Sequence, residues 1–302
     1  MWNVAFAELR KLRRPTLFFG TMGAVVFFSA LFSSLLFLLI DSPQGNSDRG
    51  RTVGREILGL ATGGVQGFSN VGGFLGIIAL CVFAAQTAQE YTYGTLRNLL
   101  VRQPGRLRIL LGKFFAMNFF AVIMIVLSAI VSIGASVILA PGAEVSTDLW
   151  FGADGRQAIF TTFINVTVSV IGFGTIGMVL GLLLRSPISA ISFGVLWLLI
   201  VENLLIAVKN SWEKWLPGAQ LSAIATGGGP TGRSAGIDYS HALLVGGIYV
   251  AVGATIASLL FVRRDVANSR HQRTNPCFSK DKGLLVSSIY SLKGLMPFGG
   301  RV

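Results

Sequence analysis

The sequence predicts an all-α integral membrane protein, with six transmembrane helices preceded by an N-terminal amphipathic helix at the membrane surface. Two observations carry this. Of the 302 residues, 52% are hydrophobic and only 13% charged, with a mean hydropathy of +0.67, whereas a soluble domain holds about a quarter charged residues. The apolar residues also arrive in blocks that a soluble core cannot hide, and about 20 in a row suffice to cross the roughly 30 Å hydrocarbon layer as a helix.

The elements follow in order. Residues 1–14 read MWNVAFAELRKLRR. Helical spacing puts Trp2, Phe6 and Leu9 near one face, with Glu8 and the bases elsewhere, which suits a helix lying among headgroups. Residues 17–40 contain no charge and form the first span. The segment is longer than the apolar part of a signal peptide and lacks its cleavage pattern, so it is read as retained. The remaining spans are 70–89, 114–140, 158–184, 188–208 and 241–262, each bounded by charge, Pro or a polar run. Pro187 lacks an amide hydrogen and cannot continue the fourth span, so 185–187 make a tight helical hairpin. These spans define a domain over residues 1–265. The segment 266–302 has neither period nor apolar length and is expected to be disordered or foreign to that domain.

Among the connections, 41–69 is Gly-rich and polar, and 141–157 is acidic. The loop 209–240 brings Trp212 and Trp215 beside Lys209 and Lys214, an interfacial anchor. A dip of residues 212–226 into the bilayer is admissible where protein covers the backbone. Small residues Gly172, Gly174, Gly177 and Gly181 recur three to four apart in the fourth span and point to close helix packing.

The net charge of +12 separates by side. With six spans both termini share a side, which carries 18 of the 25 Lys and Arg residues, against 7 on the other. Cytoplasmic loops retain such residues, so both termini are expected in the cytoplasm, with the excess facing anionic headgroups and no nucleic acid as partner. Two Cys and two His offer neither a disulfide framework nor a zinc site. The spans hold no paired carboxylates, no His cluster and no Ser with a base at helical spacing, so an intramembrane enzyme is a weak reading. A secondary transporter lacks its coupling groups near the midplane.

Two places carry chemistry. The internal loop 90–113, EYTYGTLRNLLVRQPGRLRILLGK, mixes five cations with an apolar stripe. Leu96, Leu99 and Leu100 fall at i, i+3 and i+4 of a short helix over about 94–101, ahead of a turn at Pro104 and Gly105. That stripe either docks into a partner's groove or lies on the bilayer. Glu202 lies late in the fifth span, where an ionisable group is costly and functional by default. It reads either as an outer gate or packing contact or, seven residues before Lys209, as a solvated or paired group near the interface.

Three stretches give the chain a family resemblance. ELRKLRRPTLF, with Glu8, Lys11, Arg14 and Pro15, is similar to the amphipathic helix that leads into the first span of type-2 ABC transporter permeases. The loop with Glu90, Gly94, Thr95, Arg97, Leu99, Leu100, Pro104, Arg106, Gly112 and Lys113 resembles that family's coupling motif. Glu202 followed by WEKWLPGAQL is similar to a branch with a Leu-Pro pair before the sixth span. The resemblance covers residues 1–265 and implies a bacterial plasma-membrane permease of type-2 ABC exporter-like fold, expected to export a hydrophobic or amphipathic substrate. It further implies a second permease copy, or a related permease, and a separate ATPase subunit gripping residues 90–105. Glu90, Gly94, Thr95, Arg97, Leu99, Leu100, Arg102, Pro104 and Arg106 would form the coupling surface. No Gly-x-x-x-x-Gly-Lys-[Ser/Thr] loop occurs in the chain, so ATP and Mg are expected on the partner ATPase and no cofactor here. A scaffold that recruits cytoplasmic proteins through the same loop is the alternative.

Overall fold

The computed structural model describes residues 2–40, 54–94, 105–228 and 237–271. Among these the secondary structure is entirely helical. The helices are α1 (Trp2–Leu12), α2 (Pro15–Leu38), α3 (Arg55–Leu58), α4 (Gly63–Thr92), α5 (Arg106–Leu139), α6 (Ala153–Leu184), α7 (Pro187–Leu196), α8 (Glu202–Val208), α9 (Pro217–Thr226) and α10 (Tyr239–His271). A π turn over Trp197–Val201 joins α7 to α8. Short 3-10 turns occupy Pro141–Ala143 and Asn210–Trp215.

Six helical stretches are long and apolar enough to cross a bilayer. They are Pro15–Leu38, Gly63–Thr92, Leu107–Leu139, Ala153–Leu184, Pro187–Val208 and Tyr239–Leu259. The chain therefore reads as a multi-pass membrane protein. Three helices begin on Pro: α2 at Pro15, α7 at Pro187 and α9 at Pro217. The first helical position needs no amide hydrogen, and proline's fixed φ suits it.

Two spans start earlier than the apolar runs predict. α4 has 30 residues, about 45 Å at 1.5 Å each, and its first turns, GGVQGFS, are buried among other helices rather than in lipid. α5 begins at Arg106 and carries Lys113 inside the protein. Hydropathy finds lipid-facing length and misses helix whose polar residues are covered by protein.

The compact unit Met1–Leu260 is built around α4 and α6, which share the most extensive helix contact and are the most buried of the spans. Glycine makes their approach this close. A Cβ on Gly177 would lie 2.3 Å from the Leu80 carbonyl oxygen, and one on Gly181 2.7 Å from that of Ala84. The glycines of the fourth span thus pack, as their spacing suggests. α2 joins α5 through polar contacts: Ser29 and Ser128 share a hydrogen bond of 2.7 Å, and Ser33 donates to the Ser132 carbonyl at 3.2 Å. α7 lies against α4, so the fifth span is brought to the second. The turn at Arg185 and Ser186 closes the expected hairpin, with Arg185 left-handed at φ 54°.

At the opposite end Trp150 fills a small apolar cluster with Phe37, Leu58, Ala140, Ala143 and Val145. Its indole donates to the Leu58 carbonyl at 2.9 Å. α9 is the notable element of that end. It is not a span, yet Gly218–Leu221 and Ala223–Ala225 are buried. Ser169, midway along α6, donates to the Leu221 carbonyl at 2.7 Å, and Ile224 meets Gly246 of α10. The α9 part of 212–226 is therefore covered by protein on several sides, the condition stated above for a dip. Asp238 caps α10. The Ser240 hydroxyl and the His241 backbone N–H hold its carboxyl below the usual range. The second unit, Phe261–Val302, is described over residues 261–271, which are helical. The rest of the expected tail lies outside the described residues.

Alanine at Gly177 should lower the unfolding midpoint in detergent, at a cost of about 1 to 3 kcal/mol from overpacking against backbone. Gly134→Ala, where a Cβ meets nothing within 4 Å, should leave the midpoint unchanged or raise it.

Candidate functional site

At the end of the bundle that holds α1, four charged side chains converge from three helices. α1 supplies Glu8 and Lys11, the end of α4 supplies Glu90, and the start of α5 supplies Lys113. Lys113 Nζ lies 2.6 Å from Glu90 Oε1 and 3.5 Å from Glu8 Oε2. Lys11 Nζ lies 2.5 Å from Glu8 Oε1 and 3.2 Å from Glu90 Oε1. Each carboxylate thus meets two ammonium groups, and the four formal charges cancel.

Three members are buried, with Glu8 at 5%, Glu90 at 8% and Lys113 at 3% exposure. Such charges stay ionised in a low-dielectric site only when paired. Burial opposes the charge on Lys11, but the Glu8 hydrogen bond and both carboxylates outweigh it, and its pKa rises above 10.5. Its share of stability is therefore complete below the ordinary lysine range and is lost only as pH climbs through the raised value.

This cluster sets the inward face of α1. Glu8 and Leu12 point inward, whereas Phe6 is 61% exposed. Glu8 turns inward because a buried Lys113 requires a carboxylate, and the exposed Phe6 lies on the face expected to meet the headgroup layer. Glu90 likewise turns into the cluster instead of offering its charge on an outer surface.

The end of α4 is held from its other side as well. The Arg185 guanidinium sits 5.4 Å from the Tyr91 ring centre, and the Thr92 hydroxyl donates to the Arg185 carbonyl at 3.4 Å. α4 then stops at Gly94, where φ is +63°. Of the other expected coupling residues, Thr95, Arg97, Leu99, Leu100, Arg102 and Pro104 lie outside the described residues, as does most of the short helix expected over 94–101. Arg106 opens α5.

A second constellation surrounds Glu202, which is buried at 3% exposure. α9 begins on Pro217, which has no amide hydrogen, so the first donor of that helix is the Gly218 N–H. It donates to Glu202 Oε1 at 2.9 Å. A Cβ on Gly218 would lie 2.4 Å from Glu202 Oε2 and 2.6 Å from Leu198 Cδ2, so this approach requires glycine. Glu202 is therefore paired with a helix N-terminus, an arrangement favourable to a carboxylate. Beside it lies a cavity of about 150 Å³ between α4, α6, the fifth span and α9. Sequence reasoning found Glu202 but not its partner, because a backbone N–H has no residue type to mark it. Pro217-Gly218, as a helix start, was the available signal.

Comparison with known proteins gives a lineage. A family model described as "Protein of unknown function (DUF2705)" matches residues 51–267. The uncharacterized protein YhcI of Bacillus subtilis (strain 168) is 24% identical over 204 residues, covering 64% of this chain. The chain spans 65% of that relative's length. Neither description names an activity.

Lys113→Met should cost about 3 kcal/mol, because it leaves two buried carboxylates to share Lys11 alone. Combining it with Glu90→Gln should cost clearly less than the sum of the single changes. A double-mutant cycle on the detergent unfolding midpoint measures this coupling.

Proposed function

We propose that this chain, which belongs to the DUF2705 family of proteins of unknown function, is the permease subunit of an ATP-driven ABC exporter in a bacterial plasma membrane. Its motor is a separate ATPase. One observation carries the reading: Glu90 ties the end of α4 to α1 and α5 while Tyr91 and Thr92 hold the α6–α7 hairpin. The chain leaves this joint at Gly94 for the loop 95–104.

A joint of this kind suits a transmission role. A loop rooted in a mobile helix end would absorb a push, whereas one rooted in a charge-locked end passes displacement to every helix that the end touches. Through Glu90 a displacement reaches the first span and the third. Through Arg185 it reaches the fourth and the fifth. An ATPase shifts such an assembly only if it binds the two states unequally. Arg97, Arg102 and the Leu stripe supply charge and contact area for that difference, and the basic end of the bundle faces the cytoplasm by the distribution of Lys and Arg. Of the coupling residues, Glu90 acts by positioning rather than by touching the ATPase.

Gentle purification of the full chain from its native membrane should recover a P-loop ATPase with vanadate-sensitive ATP turnover. Arg97→Glu should cut recovery or turnover at least about tenfold, more than 1.4 kcal/mol of coupling, while membrane insertion stays unchanged. A chain that recovers no ATPase would sink the proposal. One that recovers it without vanadate-sensitive turnover would favour the scaffold reading.

A further inference from the structure

The cavity beside Glu202 holds unused hydrogen-bonding capacity. Asn70 of α4 and Ser222 of α9 both line it, and among the described residues neither the Asn70 carboxamide nor the Ser222 hydroxyl has a hydrogen-bond partner. Polar groups inside a protein are ordinarily paired. The two neighbouring hydroxyls follow that rule: Ser69 donates to the Gln66 carbonyl at 3.0 Å, and Thr226 to the carbonyls of Ala223 at 3.1 Å and Ser222 at 3.3 Å. A carboxamide offers two N–H donors and a carbonyl, and a hydroxyl one donor and two lone pairs. The cavity therefore presents neutral donors and acceptors that await a complement. Glu202, in the same lining, is engaged with the Gly218 N–H at 2.9 Å and in a further contact, so recognition falls to Asn70 and Ser222.

The room is made by the same two helices. Asn70, Gly73, Phe74 and Ile77 fall on one face of α4, at i, i+3, i+4 and i+7, and Gly73 leaves open the space opposite Ser222, whose Oγ would lie 3.4 Å from a Cβ there. The walls are apolar and fixed. Phe74 is held by Phe32 of α2, whose ring centre is 4.3 Å away, and Phe173 is buried against Gly76, where any Cβ would collide with its ring. Leu198 and Ile206 of the fifth span close the other side. A cavity of about 150 Å³ admits a benzene-sized group, and a ligand hydroxyl can stand in for water there without loss of hydrogen bonds.

We infer that this cavity binds a small neutral molecule with one hydroxyl-bearing head and one apolar group of about that size, an aromatic alcohol by chemical class. Asn70 and Ser222 take the hydroxyl, which both donates and accepts, and Phe74, Phe173, Leu198 and Ile206 take the ring. A charged head is disfavoured, because it would leave water for the neutral partners Asn70 and Ser222. That the ligand is cargo rests on the permease reading; the binding site does not.

The test uses the full chain in nanodiscs of zwitterionic lipid, with uptake by empty nanodiscs subtracted and affinities compared at equal concentration in the lipid. Equilibrium binding of benzyl alcohol, toluene, benzylammonium and benzoate is measured at neutral pH. Benzyl alcohol should bind about tenfold tighter than toluene, which one or two net hydrogen bonds supply, and tighter than either ion. Asn70→Leu combined with Ser222→Ala removes both polar groups at little change in volume, and should erase the preference while leaving toluene bound. Gly73→Leu fills the space opposite Ser222 and should abolish binding of alcohol and toluene alike. Equal binding of alcohol and toluene to the unaltered chain, or tighter binding of either ion, would overturn the site. So would a preference that survives the double change, or binding indifferent to Gly73→Leu. The ranking on the unaltered chain decides even where a variant does not fold. No ATPase is needed, so failure here leaves the permease reading to its own purification test. An alcohol preference in a chain that recruits no ATPase would keep the site and remove its part in transport.

Discussion

A carboxylate taken out of water has to be met by something positive, and this bundle meets that demand in two different ways. At one end side chains do it, with two glutamates against two lysines drawn from α1, α4 and α5. Toward the other end backbone does it, with Glu202 against the first amide of α9. In both places the pairing decides where a helix sits. Glu8 and Lys11 tie α1 to the ends of two spans. α9 is ten residues long, too short to be held by its own helical propensity, and it is positioned by Glu202 at its start and by Ser169 along its side.

Between these ends the helices pack by size rather than by charge. α4 and α6 come together because glycines let backbone touch side chain and backbone, and lipid-like tails offer no hydrophobic gain for merely bringing helices close. The consequence is a central pair with little room for adjustment, around which the other spans present large apolar faces. Exposed residues such as Phe19, Phe27, Phe115, Ile130 and Ile188 belong to those faces and are what a lipid environment requires.

The sequence made the six spans legible because a bilayer imposes a length, and length survives without knowledge of contacts. It also marked the hairpin at Pro187, where a missing amide hydrogen is a local property. The starts of α4 and α5 were not legible, since Gly63–Ser69 and Lys113 are buried by other parts of the protein and carry no apolar signature. The charge cluster was visible only as separate residues. Glu8 and Lys113 stand more than a hundred positions apart, and nothing local says that they meet. Glu202 stood out as an ionisable residue in a span, whereas its role in seating α9 depended on a glycine whose message is the absence of a side chain.

The π turn at Trp197–Val201 sets the aim of that glutamate. The backbone N–H of Glu202 reaches back to the Trp197 carbonyl, five residues earlier, so this turn holds one residue more than an α-helical turn would. Each residue of an α-helix rotates the chain by about 100° around the axis. Were the surplus residue removed, everything after it would swing by about that angle, carrying the carboxylate to a different side of the helix. The wide turn is thus the setting that points an acidic group inward at this height, and the rest of the fifth span owes its facing to it.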